Sequence, residues 1–230
     1  MHAHVGQSFP DSINLTDKLT YNVTTLGYFF SRAGVTCALM TYRLLPGARY
    51  PDGADDVAMA VYWLSTEGLK FGVDAANIIA VGHSSGGAHL ATAFLESMLL
   101  HKGVKLRGIV LLSAPLWYDL DHEMRRENML MYHDAKTRED VMDKTSVASL
   151  KRASVELVAG QELLILVAEF DTDEIANGNF LFIDEYRKKL PRVPIIEVLK
   201  GHNHISSNFS IGLENDAIGP KILRFISGLQ

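Results

Sequence analysis

The sequence predicts an α/β fold: a mostly parallel sheet with helices on both faces. Three observations carry that expectation. Short runs of Val, Ile, Leu and Ala recur along the chain with almost no polar interruption, as strands buried on both faces require. Longer stretches with apolar residues every three or four positions alternate with them, the pattern of helices crossing over a parallel sheet. The chain has 230 residues, 47% hydrophobic and 21% charged, which suits a single domain over 1–230 with a sizeable core.

The elements follow in order. Leu15–Ala33 reads as a helix and stops at Gly34, a residue suited to a helix C-cap. Val35–Tyr42 is the first strand. Ala54–Thr66 places Val57, Ala60, Val61 and Leu64 on one face and ends near Gly68. The strand Ile78–Gly82 leads into a helix over Gly87–Leu100, and Gly108–Ala114 is the third strand. Leu163–Ala168, the helix Ile175–Leu190, Ile195–Leu199 and the helix Ala217–Leu229 complete the alternation. Pro115–Glu162 breaks the rhythm, being too long for a plain connection. With Trp117, Tyr118, Met124, Met129, Leu130, Met131 and Tyr132 among many charges, it predicts a lid-like helical insertion over about 115–162. The alternative is a crossover helix with a long exposed loop. Its Met and aromatic residues suit either a substrate pocket or the lid's own core.

Composition excludes several functions. Twenty-two Lys and Arg stand against 27 Asp and Glu, interspersed, so no basic field gathers phosphates and no nucleic-acid partner is expected. The single cysteine, Cys37, excludes an internal disulfide and a cysteine zinc site. His2/His4 and His202/His204 each lack a third ligand at zinc-like spacing, so no metal is expected. No apolar run approaches the roughly 20 residues of a membrane span, and Met1–Gly6 has neither the charged nor the apolar region of a signal peptide. A cytoplasmic chain is the expectation.

The sharpest motif is Gly82-His83-Ser84-Ser85-Gly86-Gly87, set between a buried strand and a helix. Gly-x-Ser-x-Gly in that setting is a nucleophile elbow. Its serine sits in a strained turn, and glycines let strand and helix approach. The helix N-terminus beyond it offers backbone N–H groups to an oxyanion. A serine hydroxyl is too weak a nucleophile alone, so an acid and a histidine should follow, each past the end of a later strand. Glu169, Asp171, Asp173 and Glu174 follow one such strand; His202 and His204 follow the next. His83 and His89 flank the elbow and read as packing residues. Asp55 and Asp56 stand at a helix start, where they cap or orient.

These residues resemble the α/β-hydrolase superfamily, in its branch of hormone-sensitive-lipase-like carboxylesterases and kynurenine-formamidase-like enzymes. Thr41-Tyr42-Arg43-Leu44-Leu45-Pro46 is similar to that branch's Asp-Tyr-Arg-Leu-Ala-Pro segment, and the elbow to its Gly-His-Ser-Ala-Gly-Gly. The resemblance implies Ser84 as nucleophile, Asp171 as the acid with Asp173 in reserve, and His204 as base with His202 the rival. His204 precedes an apolar residue, Ile205, as the family histidine usually does. The oxyanion would be held by the backbone N–H of Ser85. A second donor normally comes from a His-Gly-Gly-Gly loop, whose place is taken by His4-Val5-Gly6-Gln7-Ser8, with Gly6 the nearest counterpart.

The resemblance further implies an N-terminally reduced sheet: the strand bearing that loop, which separates Val35–Tyr42 from Ile78–Gly82, has no counterpart. Either Met1–Val5 supplies a short strand beside Ile78–Gly82, or a partner chain, as in a homodimer, covers the gap. The implied activity is cleavage of a small-molecule carboxylic ester through an acyl-enzyme, without cofactor. An arylformamide or other amide is the runner-up substrate. A catalytically inactive binding protein of the same fold is the competing class.

Overall fold

The computed structural model describes residues 2–3 and 25–229. Among the described residues, six strands form one sheet, each parallel to its neighbours: β1 (His2–Ala3), β2 (Leu39–Met40), β3 (Ile79–His83), β4 (Gly108–Leu112), β5 (Glu162–Phe170) and β6 (Ile195–Asn203), in spatial order β2-β1-β3-β4-β5-β6. Helices cover both faces. The first, α1, occupies 25–32. It is followed by α2 (Asp52–Glu67), α3 (Ser85–Leu95), α4 (Met98–His101), α5 (Glu123–His133), α6 (Arg138–Met142), α7 (Ser146–Arg152), α8 (Val155–Ala159), α9 (Asp173–Lys189), α10 (Ser206–Phe209) and α11 (Gly219–Gly228).

Unbroken apolar strands follow from two separate cores. Ile109 and Leu111 of β4, with Leu163, Ile165 and Val167 of β5, pack under α2, α3, α7, α8 and α9. Val110, Leu112, Leu164 and Leu166 point the other way, onto Leu26 and Phe30 of α1 and Ile222 and Phe225 of α11. Residues alternate faces along a strand, so a strand with a core on each side must be apolar at every position. α1 ends as Gly34 predicts: its φ is +79°, and the N–H groups of Gly34 and Val35 donate to the carbonyls of Ser31 and Phe30.

Two elements depart from expectation. Val35–Tyr42 pairs as a strand only at Leu39–Met40, because its neighbour β1 is two residues long. β1 lies where a strand was needed: His2 stands between Leu39 and Val81, and Ala3 between Met40 and Gly82. Beside that seam a cavity of about 600 Å³ opens among Val35, Cys37, Ala38, Leu64, Ile78 and Leu229. The helix expected over Gly87–Leu100 divides into α3 and α4, since Ser97 takes the left-handed conformation at φ 59°. Positions 15–24 of the predicted first helix, and Gly6, lie outside the described residues.

Pro115–Glu162 also divides. α5 and α6 build a small core of their own on Tyr118, Leu120 and Val141, packed by Met129 and Leu130, so those residues form the interior of the segment. Met124 and Met131 are exposed. Val147, Leu150 and Val158 of α7 and α8 belong to the main core beside α9. Glu174 at the start of α9 anchors the first half, accepting from Arg125 Nη2 at 2.5 Å and from the Asp119 backbone at 3.0 Å.

Candidate active site

Ser84 sits between the end of β3 and the first residue of α3 with φ 52° and ψ −131°, outside the regions open to most L-residues. Such a conformation costs on the order of 1–3 kcal/mol and persists only where its surroundings impose it. Two features impose it. The Ser84 N–H donates to the Leu112 carbonyl at 3.0 Å, carrying the β3–β4 ladder one residue past the strand. A Cβ on Gly82 would lie 2.6 Å from the Gly86 carbonyl oxygen and 2.6 Å from the Gly87 Cα, and one on Gly87 would lie 2.6 Å from the Ala114 Cβ. Only glycine fits at Gly82 and Gly87, so strand and helix close on each other and push Ser84 out at the tip.

The fold brings Ser84, His204 and Asp171 together from three strand ends. His204 Nε2 is 2.8 Å from Ser84 Oγ, and its Nδ1 is 3.0 Å from Asp171 Oδ1. A carboxylate only accepts, so Nδ1 carries the ring proton and Nε2 presents a lone pair to the serine hydroxyl. The Asp171 side chain is fully buried, against 18% exposure for that of His204. Its Oδ2 accepts from Ser113 Oγ at 2.6 Å and from the Ala168 backbone N–H at 2.8 Å. Burial of a carboxylate is tolerated because the oxygens are saturated with donors.

The rival residues lie elsewhere. His202 Nδ1 faces Ser206 Oγ at 3.3 Å. Asp173 opens α9, where an acidic residue suits the helix N-terminus. Glu169 accepts from the Gly201 backbone at 2.7 Å and ties the ends of β5 and β6 together. Ser85 is the first residue of α3, so its N–H is one of those with no acceptor inside the helix. Asp56 holds Arg43, accepting from its backbone N–H at 2.9 Å and its guanidinium at 2.8 Å, while Asp55 pairs with Lys102 at 3.4 Å.

His89 packs edge-on against Tyr42, ring centroids 4.4 Å apart, and burial lowers its pKa to about 4. His133 is likewise lowered to about 4, chiefly by burial, and donates from Nδ1 to the Met129 carbonyl at 2.9 Å. Burial also raises the Tyr42 hydroxyl well above its ordinary value. Among the described residues, no group of three or more His, Cys, Asp or Glu is placed to hold a metal ion, and no helix is long and apolar enough to cross a membrane. The 600 Å³ cavity is lined by none of Ser84, Asp171 or His204 and lies apart from this site.

Two contributors escaped the sequence reading. Ser113, just past β4 with φ 48°, supports the acid. Nothing in its local sequence marks that role, because its partner lies 58 residues away. His83, read as a packing residue, donates from Nε2 to the His204 carbonyl at 2.9 Å.

A parallel sheet with helices on both faces, an elbow serine, and a histidine and an acid on successive later strand ends define a class. Residues 16–173 match the alpha/beta hydrolase fold family, and the chain belongs to it. Among curated proteins, an ethyl acetate hydrolase from Pseudomonas putida is 27% identical over 132 residues, which cover 57% of this chain and 38% of that one. The match thus spans well under half of that relative's length. A carboxyl esterase 2 structure from the mycorrhizal fungus Tuber melanosporum superposes with TM-score 0.68 and 22% identity, over 99% of this chain and 75% of that one. A thermostable esterase from Pseudomonas putida gives TM-score 0.65 and 19% identity, over 91% of this chain and 67% of that one.

Proposed function

We propose that this chain is a serine hydrolase that cleaves small-molecule carboxylic esters through an acyl-enzyme. The observation that carries the reading is the unbroken relay Ser84–His204–Asp171, at 2.8 and 3.0 Å. His204 Nε2 takes the hydroxyl proton as Ser84 Oγ bonds to the ester carbonyl carbon. The tetrahedral oxyanion rests on the Ser85 N–H and the positive end of α3. On collapse the C–O bond breaks, and the alcohol leaves with the proton from His204. Water then attacks the acyl-enzyme by the same route, returning Ser84 and releasing the acid. Asp171 keeps its hydrogen bond to Nδ1 throughout, fixing the tautomer and offsetting the imidazolium charge. The esterase names of the relatives support the ester as substrate.

The test is labelling by a fluorophosphonate with mapping of the modified residue, together with a p-nitrophenol burst from p-nitrophenyl acetate. The label is expected on Ser84. No label and no burst would favour a non-catalytic binding protein.

A further inference from the structure

Resting on that hydrolase reading, we infer that His83 is a positioning residue, whose imidazole N–H clamps the backbone of the base loop so that His204 stays aimed at Ser84. His83 is the last residue of β3 and 6% exposed. Its Nε2 lies 2.9 Å from the His204 carbonyl oxygen. A carbonyl only accepts, so the proton sits on Nε2 and the bond has one direction. The two imidazole rings also lie against each other, tilted by 33° with centroids 4.9 Å apart. A second donor, Ser207 Oγ, reaches the same carbonyl at 2.9 Å.

This arrangement gives consecutive residues of one turn two holds on the same partner. His83 grips the backbone of residue 204, and Ser84 faces its ring at 2.8 Å. One contact leaves a loop residue free to pivot about it; two, from a turn fixed by the β3–β4 ladder, set both position and orientation. The loop reaches the elbow from 120 residues away in sequence, and these two holds register it directly against the nucleophile. The histidine of the elbow motif thereby sets the distance on which proton transfer depends.

The experiment compares His83→Phe, which keeps a flat ring but has no donor, with His83→Gln, which keeps an N–H. Burst and steady-state kinetics on p-nitrophenyl acetate, fluorophosphonate labelling rate and melting temperature are measured on the whole chain. Expected for His83→Phe is a kcat lower by about ten- to a hundredfold at unchanged KM, with labelling slowed in step. His83→Gln should recover most of the loss. Wild-type rates in His83→Phe, or equal losses in the Phe and Gln variants, would overturn the clamp while leaving the hydrolase reading intact. A wild-type chain inert to fluorophosphonate would overturn both. Should His83→Phe not fold, His83→Leu, which also lacks a donor, takes its place: slowed labelling supports the clamp, and wild-type labelling overturns it.

Discussion

Gly82→Ala is the most severe small change the elbow offers, and its size follows from distances. The added methyl carbon would stand 2.6 Å from the Gly86 carbonyl oxygen, 2.6 Å from the Gly87 Cα and 2.7 Å from the Gly87 nitrogen. Ordinary contact begins at 3.4 Å, so α3 and β3 must part by about 0.8 Å. All three neighbours are backbone, and no rotamer change relieves them. Overpacking of this kind costs about 1–3 kcal/mol. For a chain of this length each kcal/mol lowers the melting temperature by about 2–4 °C. The functional loss is larger. Ser84 Oγ and His204 Nε2 are 2.8 Å apart, and a shift of that size takes them beyond hydrogen-bonding range. Misplacement by about 1 Å costs on the order of a hundredfold in rate. Thermal melts and fluorophosphonate labelling rates of the variant and the parent test this directly. A variant that melts and labels like the parent would refute the argument that glycine is required for closure of the turn.

Further predictions follow from the site and its surroundings. Ser84→Ala should abolish labelling and turnover while the melting temperature holds, whereas Ser85→Ala should still label, since only its N–H is used. His204→Ala should cost several powers of ten in kcat and His202→Ala far less; Asp171→Asn should slow turnover by mis-setting the His204 tautomer, and Asp173→Asn should not. His89 and His133 are buried neutral with pKa values lowered from 6.5 to about 4, so between those values the unfolded chain binds more protons than the folded one. Their contribution is therefore fully present above about pH 6.5 and is lost as pH falls toward 4. Urea unfolding at pH 7 and pH 5 should show the drop, and His133→Gln should flatten it.

The sequence was most readable where a residue's environment is set by the whole sheet. β3 to β5 lie between two cores, so Ile109, Val110, Leu111 and Leu112 must all be apolar, and the run announces the strand. Val35–Tyr42 is also largely apolar, but being a strand needs a partner as well, and composition says nothing about β1's two residues. Ser84, Asp171 and His204 could be read because they sit at strand ends that the alternation locates. Ser113 and His83 could not. Both act through hydrogen bonds to residues 58 and 121 positions away, and no local pattern encodes a contact of that range. The break at Ser97 was hidden for the opposite reason, since one left-handed serine leaves the helical periodicity on either side intact.

The brevity of β1 divides the sheet energetically. β3 pairs with β4 along all of Ile79–His83, and β4 with β5 through Leu112. Among the described residues, β2 joins this slab only through His2 and Ala3, with the 600 Å³ cavity continuing the seam. Opening the seam sacrifices few ladder bonds and little buried surface, whereas exposing Val110 or Ile165 requires dismantling both cores. Amide hydrogen exchange should therefore fall in two tiers: Leu39 and Met40 exchange through a local, low-energy opening, while β4 and β5 exchange only on global unfolding. The acid hangs from β5 in the slow tier, and the nucleophile and the base from β3 and β6, the strands paired directly with it, so the margin at β2 can open and close without disturbing them.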